Sequence, residues 1–236
     1  MNAMCKKTAS ETLKTSDRCK ASTRATASNS RWSQALEPLY WDQRYASSEL
    51  VWTGDANHTL VAETKGLLPG YALDLASGEG RNAIWLAEQG WSVRAVDFSS
   101  VATEKATRLA KSRHVDHKVD FETADLRVFA PGLKYYDLVT LVYLQIPRAE
   151  LNPILVKAAS AVAPGGTFLL VAHDSENLEH GFGGPQQADM LYTTAQVVAA
   201  LGGELAIEKA SRIERPVETK EGIKIAIDCV VRGKRL

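Results

Sequence analysis

Leu73-Asp74-Leu75-Ala76-Ser77-Gly78-Glu79-Gly80-Arg81-Asn82-Ala83 decides how this chain is read. Ala72 to Ala76 is a short apolar run, the length of a buried strand. Two glycines one residue apart follow, and they let a backbone turn sharply and pass close to another molecule. Asn82 to Gln89 then carries apolar residues at helical spacing and stops at Gly90, a natural C-terminal cap. Strand, glycine loop and helix start are the opening of an α/β unit.

The pattern repeats outward from this stretch. Ser92 to Asp97 reads as a second strand, with Ser99 or Ser100 capping a helix that runs to about Arg113. Val119 to Thr123 and Asp137 to Val142 read as strands three and four. Leu151, Ile154, Leu155, Ala158, Ala159 and Val162 form a helical stripe, with Pro153 in its first turn and Asn152 as a cap. Pro164-Gly165-Gly166 turns the chain into a fifth strand, Phe168 to Ala172. After a long polar loop, Ser175 to Leu191, Thr193 and Gln196 have the spacing of a capping box. Upstream, a helix is expected from Thr59 to Lys65. Leu205–Ile213 and Ile223–Val231 are strand-like with no helix between them, and their link is too short for a parallel crossover. The expected fold is therefore α/β: a Rossmann-like, mostly parallel sheet with an antiparallel C-terminal edge hairpin and helices on both faces.

In such sheets ligands bind beyond the carboxyl ends of the strands. A loop of the form Gly-x-Gly-x-x-Ala also satisfies the dinucleotide fingerprint. Asp74 discriminates, because a carboxylate just before the loop would repel a pyrophosphate. It would instead pair with the cationic amino-acid end of S-adenosylmethionine. Asp97, ending the second strand, is placed to accept hydrogen bonds from ribose hydroxyls, a device shared by NAD and S-adenosylmethionine proteins. Ala124-Asp125-Leu126 stands where a side chain reaches an adenine edge. Tyr143-Leu144-Gln145-Ile146-Pro147 contains neither an Asn-Pro-Pro-Tyr type motif nor a Pro-Cys pair, which argues against DNA amino and C5-cytosine methylation. His173, just after the fifth strand and followed by Asp174, is the best candidate for a general base, with Tyr143 as a second catalytic candidate. His58, His114, His117 and His180 lie in polar surroundings and read as surface residues.

These motifs, in order and at suitable spacing, resemble those of class I S-adenosylmethionine-dependent methyltransferases over roughly Trp41 to Val231. Gly-Glu-Gly-Arg-Asn-Ala followed by Trp-Leu-Ala, with Trp-Asp-Gln-Arg-Tyr upstream, is similar to the tellurite-resistance and thiol-methylating branch. The resemblance implies a seven-stranded sheet and S-adenosylmethionine as cofactor. It implies that Asp74, Ala76, Ser77, Gly78 and Gly80 surround the methionine part. Asp97, Phe98 and Ser99 would hold ribose and adenine, and Ala124, Asp125 and Leu126 the adenine. Trp41 and Tyr45 would close over the cofactor, with Arg81, Asn82 and Tyr143 facing cofactor or acceptor. Ala76-Ser77 departs from the Gly-Cys or Gly-Ser of many members, though alanine is small enough for the cofactor to fit.

Composition bounds the alternatives. Lys+Arg and Asp+Glu balance at 28 each, so the basic field of a tight nucleic-acid binder is absent and a small-molecule acceptor is expected. Cys5, Cys19 and Cys229 form no CxxC pair, and no metal site is expected. No apolar run reaches the roughly 18 residues of a membrane span, and the N-terminus lacks a secretory core, so a cytoplasmic protein is the default. Residues 1–31 are basic, hydroxyl-rich and poor in large apolar residues, and are expected to be a disordered tail before a domain over 32–236. That composition is shared by organellar transit peptides. The competing functions are an NAD-dependent oxidoreductase, a non-catalytic S-adenosylmethionine-binding protein, and RNA methylation with the tail as an electrostatic arm. Short-chain dehydrogenases carry a Tyr-x-x-x-Lys pair, and this chain does not.

Overall fold

A computed structural model describes residues 37–236. The expected tail, with Cys5 and Cys19, lies outside the described residues, as does Trp32 at the expected start of the domain. The chain divides into two compact units, Met1–Tyr40 and Trp41–Leu236. Of the first, residues 37–40 are described, as the opening of helix α1 (Pro38–Ala46). The second contains the whole sheet.

Among the described residues the sheet has seven strands in the order β3-β2-β1-β4-β5-β7-β6. They are β1 (Tyr71–Leu75), β2 (Ser92–Asp97), β3 (Val119–Thr123), β4 (Tyr136–Val142), β5 (Val162–His173), β6 (Ala206–Thr219) and β7 (Gly222–Lys234). The first five run parallel, and β7 is antiparallel to both β5 and β6. The expected mostly parallel sheet with its C-terminal hairpin is what forms. Strand order reverses between β1 and β4, the switch point where such sheets open a crevice.

Apolar side chains alternate between the two faces of the strands. Leu73, Leu75, Val139, Leu141, Phe168 and Leu170 pack on one face with Leu151 and Leu155 of α5 (Arg148–Ala161) and, beyond the single turn α6 (Asn177–His180), Val197 of α7 (Thr194–Ala200). Ala72, Leu138, Leu169, Val171 and Val230 pack on the other, with Leu60 of α2 (His58–Thr64), Ile84 and Leu86 of α3 (Arg81–Glu88) and Ala110 of α4 (Ser100–Ser112). Caps hold several of these helices as expected. Ser99 Oγ accepts the Ala102 N–H at the start of α4, and the Thr193–Gln196 capping box opens α7. Asn57 Oδ1 accepts the Leu60 N–H and caps α2, which begins one residue earlier than expected.

Two elements depart from expectation. Helix α5 starts at Arg148 behind Pro147, not at Asn152. Pro147 O accepts the N–H groups of Glu150 and Leu151 and closes the extra turn. Pro153 thus sits in the second turn, where its missing N–H leaves the ladder one bond short. The terminal hairpin is also longer than its apolar runs. Glu214 to Thr219 continues β6, so the link is only Lys220-Glu221. Pairing of β5 with β7 ends at His173↔Asp228, while β6 and β7 continue paired to Thr219↔Gly222. The hairpin therefore overhangs the carboxyl end of β5.

Candidate active site

Registry places the site. Side chains two apart share a face, and strand pairs align neighbours. Asp74 lies opposite Thr140, His173 opposite Asp228, and Asp228 opposite Ile213, two residues before Arg215. Asp97 shares the parity of Val93 and Ala95 on β2. Asp97, Asp74, Thr140, His173, Asp228 and Arg215 therefore occupy one face of the sheet, the face covered by α3 and α4, toward the carboxyl ends of the parallel strands.

Asp74 is 1% exposed. Its Oδ1 accepts the Thr140 hydroxyl at 2.7 Å, while its Oδ2 is buried with no hydrogen-bond partner. Burial raises its pKa to about 7; the nearby Asp97 pushes the same way, and the Thr140 hydroxyl, Arg81 and the Ala83 backbone N–H oppose it. Asp97 is held by backbone: Gly78 N–H donates to Oδ2 at 2.8 Å and Ser99 N–H to Oδ1 at 2.9 Å. Burial raises it to about 6 in spite of these bonds. The loop between the two acids is strained into place. Ala76 (φ 60°) and Gly78 (φ 54°) both have left-handed backbone, which costs the alanine about 1–2 kcal/mol. A Cβ on Gly78 would lie 2.9 Å from the Tyr45 hydroxyl, so the glycine admits that ring. Ser77 Oγ, like Asp74 Oδ2, is buried without a partner.

Residues 41–52 roof the loop. Asp42 accepts the Ser99 hydroxyl, and Lys105 Nζ donates to the Tyr45 carbonyl. Tyr45 is buried, and burial raises its pKa. Trp41 lies 5.6 Å from the Tyr45 ring, and the Arg44 guanidinium stacks over Trp41 and Trp52. Glu79, the residue between the glycines, does the anchoring. It is buried and accepts the N–H groups of Val51 and Trp52, with Lys105 Nζ at 3.2 Å. Asn82 likewise accepts the Asn57 N–H at 2.9 Å and ties α3 to the start of α2. Arg81 donates to Thr53 Oγ1 at 3.3 Å.

The other expected nucleoside contacts are placed as follows. Phe98 is half-buried beside Asp97. Ala124 N–H donates to the Asp97 carbonyl, and Leu126 is buried in the core. Asp125 is engaged by Arg127, whose side chain holds the carboxyl below its ordinary range.

A second cluster adjoins the first. Tyr143 has left-handed backbone (φ 61°) and donates its hydroxyl to Asp228 Oδ2 at 2.6 Å. Arg215 Nε donates to the same oxygen at 2.7 Å, and its guanidinium lies 5.5 Å from the centre of the Tyr143 ring. His173 stacks on Tyr143 with centroids 4.9 Å apart. Its Nδ1 is 3.1 Å from Asp228 Oδ1, within hydrogen-bond distance but out of line for a straight donor–acceptor pair. Asp228 is fully buried, and these partners hold its carboxyl below the ordinary range against burial, which acts the other way. Gly184 lies against the Cδ2–Nε2 edge of His173, where a Cβ would come within 2.6 Å of the ring. Asn177 fastens this cover, donating to the Gly183 carbonyl and accepting the Ile227 N–H. The sequence singled out His173 and Tyr143, and the structure groups with them Asp228 and Arg215, which the sequence did not single out. An acid inside the apolar run Ile223–Val231 was the available signal. Cys229 next to it is buried, with its thiol pushed up to about 12.

Residues 72–166 match a family model described as a methyltransferase domain. A tRNA (uracil(54)-C(5))-methyltransferase of Pyrococcus abyssi is 36% identical over 107 residues, 45% of this chain and 25% of that protein. Hemagglutinin 1 of Eikenella corrodens is 27% identical over 117 residues, 49% of this chain and 38% of that protein. The chain thus spans between a quarter and two fifths of these curated relatives. Among solved structures, an S-adenosylmethionine-dependent methyltransferase of Methanosarcina mazei superposes with a TM-score of 0.59 at 18% identity, over 77% of this chain and 99% of that one. TehB of Haemophilus influenzae superposes with a TM-score of 0.63 at 15% identity, over 84% and 66%. At these identities the likeness is one of fold. The domain match implies S-adenosylmethionine as the cofactor, and the residues present fit it. An orphaned carboxylate oxygen at Asp74 suits an ammonium, a second orphaned polar atom is the Ser77 hydroxyl three residues on, and Asp97 retains lone pairs for sugar hydroxyls.

Proposed function

We propose that the chain is an S-adenosylmethionine-dependent methyltransferase whose acceptor is a small molecule: a thiol, a chalcogen anion or a hydroxyl compound. The observation that carries this reading is Asp74, a fully buried carboxylate with one oxygen unpartnered, on the same face and edge as Asp97. Isolated buried charges are costly and are retained where a ligand completes them. S-adenosylmethionine supplies a methyl group already activated on a cationic sulfur. Asp74 binds the ammonium of its amino-acid end, and Asp97 accepts the ribose hydroxyls. Gly78 and Gly80 give the loop its close approach, while Trp41 and Tyr45 exclude water from above.

Little acid–base chemistry is then required of the protein, and orientation supplies most of the rate. A thiolate or chalcogen anion needs no proton removed. For a hydroxyl acceptor, His173 takes the proton, with Asp228 beside Nδ1 to steady the cation formed. Gly184 covers the Nε2 edge, so the loop between Asn177 and Met190 must open to admit the acceptor and close behind it. The Gly-Glu-Gly-Arg-Asn-Ala motif followed by Trp-Leu-Ala, with Trp-Asp-Gln-Arg-Tyr upstream, supports the tellurite-resistance and thiol-methylating branch within this reading.

The test is a labelled-methyl screen over thiols, chalcogen anions and phenols, with unmodified tRNA as a separate arm. Calorimetry with S-adenosylhomocysteine and with NAD runs beside it. Label on a small molecule with S-adenosylhomocysteine binding is the expected result. Binding of NAD alone overturns the cofactor, and label entering tRNA alone overturns the acceptor class.

A further inference from the structure

The second cluster carries more positive charge than it neutralises. Several arginines elsewhere have carboxylates within 4.0 Å, such as Arg94 with Glu122, Arg127 with Asp125 and Arg235 with Glu204. Among the described residues Arg81 has none that close; its hydrogen bond goes to a threonine hydroxyl. It nevertheless lies near enough to Tyr143, Asp74 and Arg215 for each to act on it electrostatically. Arg215 is joined to Asp228, which Tyr143 and His173 also share. Once Asp74 is given to the cofactor's ammonium, the charges of Arg81 and Arg215 act on Tyr143 with one carboxylate, Asp228, to answer both, and it is paired with Arg215. A partly buried guanidinium keeps its charge and seeks a planar anion.

We infer that the methyl acceptor is an acidic small molecule whose carboxylate is seated between Arg81 and Arg215 over the Tyr143 ring. This rests on the methyltransferase reading and narrows its acceptor class. Geometry suits it: Arg215 already stacks on that ring, at the root of the overhanging hairpin. Its Nε is committed to Asp228, while its terminal nitrogens remain for a ligand. Arg81 follows Gly80 at the first turn of α3, beside the glycine loop. An acid held there stands next to the donor's site without entering it. Asp228 already compensates Arg215, so a neutral acceptor would leave the charge of Arg81 uncompensated.

The test uses the full chain loaded with S-adenosylhomocysteine, so that cofactor binding is established first. Calorimetry then compares 3-mercaptopropionate, its neutral amide, and phenyl phosphate. The carboxylate should bind about 10- to 100-fold more tightly than the amide, the effect of charge-assisted hydrogen bonds. Arg81→Met and Arg215→Met should each shrink that ratio, and the double variant should bring it near one, with S-adenosylhomocysteine affinity within about threefold of the parent. Equal binding of acid and amide overturns the inference, as does a preference that survives the double variant. A preference for phenyl phosphate over the carboxylate overturns the choice of carboxylate. A loss of S-adenosylhomocysteine affinity in Arg81→Met assigns that guanidinium to the cofactor and overturns the two-arginine clamp. Absence of S-adenosylhomocysteine binding to the parent overturns the methyltransferase reading, and with it this inference.

Discussion

Asp74→Asn should stabilise the protein and weaken its ligand, and the two effects have separate physical origins. Burial moves this carboxyl from its ordinary 3.8 to about 7. At about 1.36 kcal/mol per pH unit, that is about 4 kcal/mol of native-state penalty once the group is ionised in the unfolded chain. The folded form holds the proton longer, so the penalty is absent below about pH 4, grows as pH rises to about 7, and is complete above it. Asparagine removes the charge while keeping an oxygen for the Thr140 hydroxyl. Its amide must itself find a partner, so a gain of about 2 kcal/mol at pH 8 is expected, about half the full penalty. Denaturant melts of both proteins at pH 5 and pH 8 measure it, and the gap should widen at the higher pH. S-adenosylhomocysteine should meanwhile lose about 10- to 100-fold in affinity, the worth of a charge-assisted bond of about 1.5–3 kcal/mol. In the parent, affinity should fall as pH drops below about 7, because a protonated carboxyl has no charge to offer an ammonium; in the variant that component of the dependence should vanish. A variant that is less stable at pH 8 and binds S-adenosylhomocysteine as the parent does would refute the reasoning.

Three further perturbations test other parts of the site. Gly80→Ala would put a Cβ 2.8 Å from both the Ala106 Cβ and the Phe121 ring at a φ of +79°, and should cost about 2–4 kcal/mol, seen as a lowered melting temperature. Asp228→Asn leaves Arg215 without its carboxylate and should cost about 3 kcal/mol in a denaturant melt, the cost of breaking a buried ion pair. In turnover it should slow hydroxyl acceptors far more than thiols. Deleting residues 179–185 should raise the acceptor KM or abolish turnover while S-adenosylhomocysteine affinity measured by calorimetry stays the same; unchanged kinetics would remove the loop from any gating role.

What could be read in the sequence was what local pattern controls. The strand, glycine loop and helix around Asp74 announce themselves because two glycines punctuate an apolar run, and Thr193 with Gln196 announces a helix start by spacing alone. Contacts between distant segments leave no such trace. Glu79 looks like a solvated loop acid until the backbone of Val51 and Trp52 is found folded onto it. Asp228 and Arg215 are strand residues whose meaning depends on registry with β5, set by the whole sheet. Pro153 misplaced the start of α5, because a proline suits a first turn better than the second turn it occupies. Pro216 and its charged neighbours hid the last six residues of β6, Glu214 to Thr219, and the strand tolerates a missing N–H because it is the outer one.

The insertion of β7 between β5 and β6 has a consequence for assembly. Phe168 to Ala172 offers a bare, strongly apolar ladder until residues some sixty positions later arrive to pair with it. A nascent chain leaving the ribosome holds that ladder open throughout the synthesis of α7 and β6, and closing it requires a contact of high sequence separation, a slow class of event. Chaperone dependence and clumping of shortened products should therefore concentrate on β5, and the Asp228 carboxylate, delivered by the last strand to dock, makes completion of the sheet and assembly of the Tyr143–His173–Arg215 cluster a single step.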